Sequence, residues 1–256
     1  MLRPRIIPCL LIKDNGLVKS VQFKNHKYVG DSINAVKIFN EKEVDEIMII
    51  DIDATIQNRE PNYKLIEALA AECRMPLCYG GGIKTVEQAQ KIFALGVEKV
   101  SISSEAIANP YLLTEIGKRV GSQSIVVVMD VKKSETGRYE IWTHNGSTNT
   151  GKDPIAFAKE VERLGVGEVV VNSIDEDGMM NGYDMVLIDS VRDAINLPLT
   201  VLGGAGTHKD IGELISKYKV IGIAAGSLFV FKGVFKAVLI NYPNPSEKAV
   251  LLAVNL

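Results

Sequence analysis

Short runs dense in Val, Ile and Leu alternate along this chain with longer stretches whose apolar residues recur every three or four positions. The first pattern suits strands buried on both faces, and the second suits amphipathic helices lying over them. Strands are predicted near 5–11, 46–51, 76–79, 98–103, 124–130, 168–173, 198–202 and 219–225. Helices are predicted near 31–42, 61–73, 84–95, 109–119, 153–164, 183–194, 207–217 and 231–241. Asp31, Thr85, Asn109-Pro110, Asp153-Pro154 and Thr207 mark helix starts, where a short polar side chain or a proline answers the unpaired first-turn N–H groups. Strand and helix in unbroken alternation imply parallel βα units. Eight such units in 256 residues fit an α/β protein of the closed (β/α)8 TIM-barrel type, with a doubly wound open sheet as the alternative.

An internal repeat favours the barrel. "DEIMIIDIDAT" (45–55) aligns with "GEVVVNSIDED" (167–177), "PLCYGGGIKTVEQ" (76–88) with "PLTVLGGAGTHKD" (198–210), and "KVSISSEAI" (99–107) with "KVIGIAAGSLF" (219–229). Each offset is about 120 residues, so the chain reads as one domain, 1–256, made of two half-barrels over roughly 1–122 and 123–256. Closure then places equivalent strand ends opposite one another across the mouth.

Composition narrows the function classes. A formal net charge of −2 gives no reason to expect nucleic-acid binding. No apolar run approaches the ~20 residues of a membrane span, and the N-terminus has no cleavage site of the secretory kind, so a cytoplasmic protein is expected. Cys9, Cys73 and Cys78 are odd in number, lack CxxC spacing and have no His nearby, which reads as three buried thiols. No metal or cofactor is expected. His26, His144 and His208 are scattered over predicted loops and read as surface or packing residues.

Chemistry in this fold gathers where strands end. Gly80-Gly81-Gly82 and Gly203-Gly204-Ala205-Gly206 follow strands 3 and 7, each running into a helix, and Ser103-Ser104 and Gly226-Ser227 end strands 4 and 8. Glycine backbone N–H groups beside a helix N-terminus suit anions, so the repeat predicts two phosphate sites on opposite sides of the mouth. The plainer reading is a pair of tight turns packed on their neighbours. Carboxylates also end strands: Asp51 and Asp53 on strand 2, Asp130 on strand 5, and Asp175, Glu176 and Asp177 on strand 6. Asp130 closes the apolar run "SIVVVMD", where desolvation raises a pKa toward the range useful for proton transfer. Its counterpart in the first half-barrel is Leu11. The long loop 132–151 contains "RYEIWTHNG", which reads as a small hairpin beside the mouth, while the Pro-containing tail "NYPNPSEKAVLLAVNL" covers either the last helix or a partner.

Together "RIIPCL", "GGGI", "KVSIS", "SIDEDG", "NGYD" and "GGAG" make the chain resemble, over nearly its whole length, the cyclase subunit of imidazole glycerol phosphate synthase. The resemblance implies a (β/α)8 barrel that receives ammonia from a glutaminase partner at its N-terminal face. The ammonia would pass through the core to a bisphosphorylated ribotide at the C-terminal face. It implies a charged gate of Arg5, Glu46, Lys99 and Glu168, four residues that alone read equally well as solvated strand ends. It also implies substrate and phosphate contacts at Lys19, Gly82, Ser103 and Ser104 on one side and Asp177, Gly178, Gly203, Gly204, Gly226 and Ser227 on the other. Asp130 is the implied catalytic acid–base.

The family's second catalytic aspartate is Leu11 here, Leu202 replaces a small hydroxyl residue, and Asn172 stands where threonine is usual. "IPCLL" and "REPN" (59–62) resemble a branch of the family associated with bacterial surface polysaccharides. In that branch a barrel, a glutaminase-like partner and an ATP-using sugar amidotransferase convert an acetamido group to an acetamidino group. Three expectations stand: an ammonia-conducting subunit in such sugar amidination, a working cyclase of histidine biosynthesis in which Asp51 or Asp177 covers for Leu11, and a noncatalytic activator of a glutaminase.

Overall fold

The structure, a computed structural model, describes residues 3–253. Among them eight parallel strands close into a ring: β1 (Arg5–Lys13), β2 (Ile47–Asp51), β3 (Leu77–Gly80), β4 (Lys99–Ile102), β5 (Ile125–Lys133), β6 (Glu168–Ser173), β7 (Leu199–Leu202) and β8 (Gly222–Ala225). Closure is made by Arg5 opposite Gly222 on the β1–β8 side and by Asp130 opposite Asn172 on the β5–β6 side. The chain is therefore a (β/α)8 barrel, and the open-sheet alternative falls.

Side chains of each strand alternate between two apolar compartments, which explains the unbroken apolar runs. Ile7, Cys9, Met48, Cys78, Val126, Val128, Val170, Leu202 and Ala224 fill the interior of the ring. The other set, including Ile6, Ile47, Leu77, Val127 and Val169, packs beneath the helices. Those helices are α1 (Ser32–Glu41), α2 (Tyr63–Glu72), α3 (Val86–Ala94), α4 (Tyr111–Val120), α5 (Pro154–Leu164), α6 (Met185–Arg192), α7 (His208–Tyr218) and α8 (Pro245–Ala253). Asp31 and Asp153 accept from the third N–H of their helices, and Thr85 and Thr207 form reciprocal capping boxes with Gln88 and Asp210. Asn109-Pro110 precedes α4 without a side-chain cap. Asn62 and Asp184 cap α2 and α6 in the same way as Asp31, although neither stood out in the sequence.

Three segments depart from expectation. Residues 231–241 are not a helix: Phe231–Lys232 pairs antiparallel with Ala237–Val238 around a turn in which Gly233 and Lys236 have positive φ. The eighth helix instead comes from the tail, where α8 packs on α7 and Lys248 Nζ binds Asp45 Oδ1 at 2.6 Å. Residues 254–256 of that tail lie outside the described residues. The segment after β1 is a hairpin, Gly16–Val21 with Lys24–Gly30, and not an open loop. Asp14 and Asn15 take φ of 49° and 62° before Gly16, the backbone of a tight hairpin turn that short polar residues tolerate. The expected hairpin in 132–151 is present, with Tyr139–Thr143 antiparallel to the end of β5. Of the cysteines, Cys9 and Cys78 are buried but Cys73 is only half-buried.

Candidate active site

At the N-terminal end of the barrel, four ionisable side chains converge on the axis because each occupies or precedes the first position of a strand. Arg5 bridges Glu46 and Glu168, the latter at 2.7 Å, and Lys99 Nζ bridges the same two carboxylates at 2.9 Å each. Every charge thus has two opposite neighbours and the ring is closed. Both glutamates are buried, and the cations keep about a quarter of their side-chain surface exposed. Burial alone would lower the pKa of Arg5 and of Lys99, but the two carboxylates outweigh it and raise both. Burial pushes Glu168 upward, yet Arg5 and Lys99 hold it below the usual carboxylate range. A desolvated ring of this kind holds only while it is complete, since removing one member strands its partners.

Two further residues belong to the ring. Thr200 on β7 is fully buried and donates its hydroxyl to Glu168. Gly222, the first residue of β8, leaves the space: a Cβ there would overlap Thr200 Oγ1 and come within 3.2 Å of Arg5 Nη2. Nothing in the sequence ties either Thr200 or Gly222 to the charges.

At the opposite end a cavity of about 280 Å³ opens, lined among others by Leu11, Lys19, Ile50, Gly82, Ser103, Ser104, Asp130, Asn172, Asp177, Leu202, Gly226 and Ser227. Asp130 accepts from Asn172 Nδ2 at 2.8 Å. Desolvation pushes its carboxyl up to about 6, against the pull of that hydrogen bond and with a smaller push from Asp177. Asp177 is raised mainly by burial and accepts from Ser20 Oγ at 2.8 Å. Leu11 and Ile50, paired across β1 and β2, give the other side of the mouth an aliphatic wall.

Lys19 lies on the strand of the first hairpin, buried, with Nζ 2.5 Å from the carbonyl of Cys9. Burial lowers its pKa. An added Cβ on Gly226 would sit 2.6 Å from Nζ, so Lys19 lies against the Gly226-Ser227 turn. Gly203, Gly204 and Gly178 do not line the cavity. An added Cβ at Gly204 would strike the carbonyl of Gly182, and one at Gly178 the carbonyl of Ser20. These glycines permit close backbone packing. The second glycine turn runs directly into α7 through its cap Thr207, whereas Ile83 and Lys84 separate the first from Thr85, the cap of α3. The segments that start at the mouth are the short helices Ser104–Ala108 and Ser227–Val230.

The remaining strand-end carboxylates serve the loops. Asp51 caps Ile52–Ile56 and binds Arg59 Nη2 at 2.9 Å, Asp53 binds Lys13 at 3.0 Å, and Asp175 accepts from Lys133 N at 2.9 Å. Two histidines read as peripheral lie instead at the mouth: His26 and His144 both line the cavity. His144 arrives on the turn of the second hairpin, where Asn145 Nδ2 bonds the carbonyl of Ile52 at 2.9 Å. A His on the strand Lys24–Gly30 and a His in a turn carry no sequence signal that distinguishes rim from periphery.

The parallel barrel thus has a closed ion-pair plug at one end and a carboxylate-bearing cavity at the other. The sequence profile of the family described as "Histidine biosynthesis protein" matches residues 5–236. A protein of Vibrio vulnificus that carries the name imidazole glycerol phosphate synthase subunit hisF3 provisionally is 57% identical over 249 residues, 97% of this chain and 96% of that protein. A provisionally named hisF2 subunit of Pseudomonas aeruginosa is 50% identical over 247 residues, 96% and 98% of the two chains. The imidazole glycerol phosphate synthase subunit HisF of Natranaerobius thermophilus is 40% identical over 250 residues, 98% of each chain. This chain belongs to the histidine biosynthesis protein family, among the cyclase-like subunits of imidazole glycerol phosphate synthase. Among the described residues no helix is long and apolar enough to cross a membrane.

Proposed function

We propose that the barrel takes ammonia from a glutaminase docked at its N-terminal face and delivers it to the C-terminal mouth. There it serves the amidination of an acetamido sugar destined for surface polysaccharide, with an ATP-using sugar amidotransferase as the third component. Arg5, Glu46, Lys99 and Glu168 act as the gate, and Ser103, Ser104, Lys19, Gly226 and Ser227 contact the anionic groups of the substrate. Asp130 is the proton-handling group. The observation that carries this reading is the contrast between the two ends: the charge ring is complete, while the mouth has one carboxylate on β5 and Leu11 at the equivalent place on β1.

The barrel interior is packed with Cys9, Met48, Cys78, Val126 and Val170, so any passage that opens between them would admit a small neutral molecule more readily than ammonium, whose desolvation is costly. Ring formation on the ribotide needs two positioned proton-transfer groups, and loss of one costs about 10²–10⁴ in rate. The test is an ammonium-driven cyclase assay with the bisphosphorylated ribotide. Turnover at least a hundredfold below that of a relative with both aspartates is expected, and turnover within tenfold overturns the reading.

A second reading, a working cyclase of histidine biosynthesis, is favoured by one observation: Asp177 lines the same cavity with its pKa raised by burial. Asp51 lines that cavity too, with its Oδ1 held by Arg59 and by its own helix. In that case Asp177→Asn abolishes cyclisation in the ammonium assay.

A further inference from the structure

The hairpin that replaces the expected helix after β8 carries the most exposed apolar side chains of the described residues. Val234 and Phe235 are 96% and 97% exposed, and the next large apolar side chain, Tyr111, is 76% exposed. They are the two central residues of a turn closed by Lys236 N, which donates to the Gly233 carbonyl at 3.0 Å. The turn tops the pairing of Phe231–Lys232 with Ala237–Val238, so both side chains project from a closed hairpin. Single exposed apolar residues are ordinary on a protein surface, but two neighbours at one apex form a tip.

The charge around this tip has one sign. Lys232 and Lys236 stand on its two shoulders, and Lys27 of the first hairpin lies 5.2 Å over the Phe231 ring at its base. All three are exposed, and none forms an ion pair among the described residues. Elsewhere surface lysines find carboxylates: Lys37 pairs with Glu72, Lys209 with Glu213 and Lys217 with Asp189. Neither 16–30 nor 231–241 contains an Asp or Glu, although the whole chain has a net charge of −2. An apolar apex with cationic shoulders matches the boundary of an anionic bilayer, where apolar side chains enter the acyl edge and lysine stems reach back to lipid phosphates. The tip offers on the order of 300 Å², small against the roughly 800 Å² that each partner gives to a specific protein interface.

We propose that the 231–238 hairpin is a peripheral anchor for an anionic membrane surface, with Val234 and Phe235 entering the bilayer edge and Lys232, Lys236 and Lys27 facing lipid phosphates. One such tip binds weakly and reversibly. Gly226 and Ser227 line the cavity, and Ser227–Val230 leads directly into the hairpin, so the anchor holds the mouth close to the bilayer. The chain thus lies against a membrane without crossing it. The anchor is independent of the reaction performed in the cavity.

The test is co-sedimentation of the full chain with vesicles of phosphatidylglycerol and phosphatidylcholine in equal parts and, separately, of phosphatidylcholine alone. Binding to the anionic vesicles is expected, with partition onto the neutral ones weaker by about tenfold or more. Phe235→Ser should lower partition onto the anionic vesicles about tenfold or more, through lost apolar burial. Lys232→Gln combined with Lys236→Gln should do the same through lost charge. Tyr111→Ser, which removes an exposed ring at the start of α4, should leave partition unchanged. Circular dichroism checks that each variant is folded, and should one fail to fold, the two vesicle compositions compared on the parent chain decide alone. Absence of vesicle binding, equal binding to both compositions, or undiminished binding of folded Phe235→Ser overturns the proposal. If vesicles are not bound and the parent self-associates where Phe235→Ser does not, the tip seats a second copy of this chain instead.

Discussion

Leu11 and Asp130 stand four strands apart in the closed ring, on β1 and β5, and line one cavity from opposite sides. The two half-barrels would make them a symmetric pair, yet one can take up and release a proton and the other cannot. Leu11→Asp is expected to raise ammonium-driven ribotide cyclisation by about 10²–10⁴, the usual worth of a positioned acid or base. Asp130→Asn in the same background should remove the gain. The assay reads ribotide consumption, and no gain in a folded Leu11→Asp chain would place the lost activity elsewhere.

Asp130 also makes stability depend on pH. Its folded pKa of about 6 lies above that of the unfolded chain, so the folded state holds the extra proton through the window between about 4 and 6. Stability from this group is present below that window and lost as pH rises through it, on the order of 3 kcal/mol in all. Asp130→Asn, nearly equal in shape and unable to ionise, should be no more stable than the parent at pH 4 and measurably more stable at pH 7.5. Thermal melts at the two values measure the difference. In any reaction where Asp130 accepts a proton, kcat should rise with pH through an apparent pKa near 6.

The strand and helix rhythm was legible because barrel strands bury both faces and the helices one, and periodicity reports burial. The 231–241 segment was not, since its apolar spacing suits either element and the positive φ of Gly233 and Lys236 decides it. Asp14-Asn15-Gly16 carries the chemistry of the tight turn that folds Gly16–Val21 back on β1, whereas the next turn, at Gln22 and Phe23, has no such residues. At the site, the four ring charges were legible through the family resemblance, since as strand-start residues alone they read equally well as solvated ends. Thr200 and Gly222 were not, because their part lies in what they touch and the space they leave. The glycine turns differ in a way their sequences hide: Gly80-Gly81-Gly82 lines the cavity, while Gly203 and Gly204 pack closely on neighbouring backbone.

The two ends of the mouth should take anions differently. Ser103 Oγ is buried without a partner beside Ser104, whereas the Gly226-Ser227 turn has Lys19 against it. A hydrogen bond to a charged group contributes about 1.5–3 kcal/mol. Lys19→Met is therefore expected to weaken phosphate binding at the Gly226-Ser227 turn by roughly ten- to a hundredfold and leave the Ser103-Ser104 end unchanged. Crystals soaked in phosphate would show it as loss of one anion and retention of the other. Loss of both would mean that Lys19 holds the whole rim together.

The ring at the other end gives the sharpest test of passage through the barrel. Lys99→Ala leaves Glu46 and Glu168 sharing only Arg5, and breaking a buried ion network in this way costs about 3–5 kcal/mol. Lys99→Met keeps the hydrocarbon length and should lose less stability while removing the same charge. With Lys99 gone, the Glu168 pKa should rise, because one of the two cations holding it down is absent. Stability that depends on an ionised Glu168 would then be lost at a higher pH on acidification than in the parent. If ammonia moves through the ring, an ill-fitting gate should leak. Glutamine-driven product formation per glutamate released should fall several-fold in Lys99→Met, while product formation from added ammonium should hold. Should the two routes fall together, or neither change in a folded variant, the ring is a structural clasp and ammonia reaches the mouth by another way.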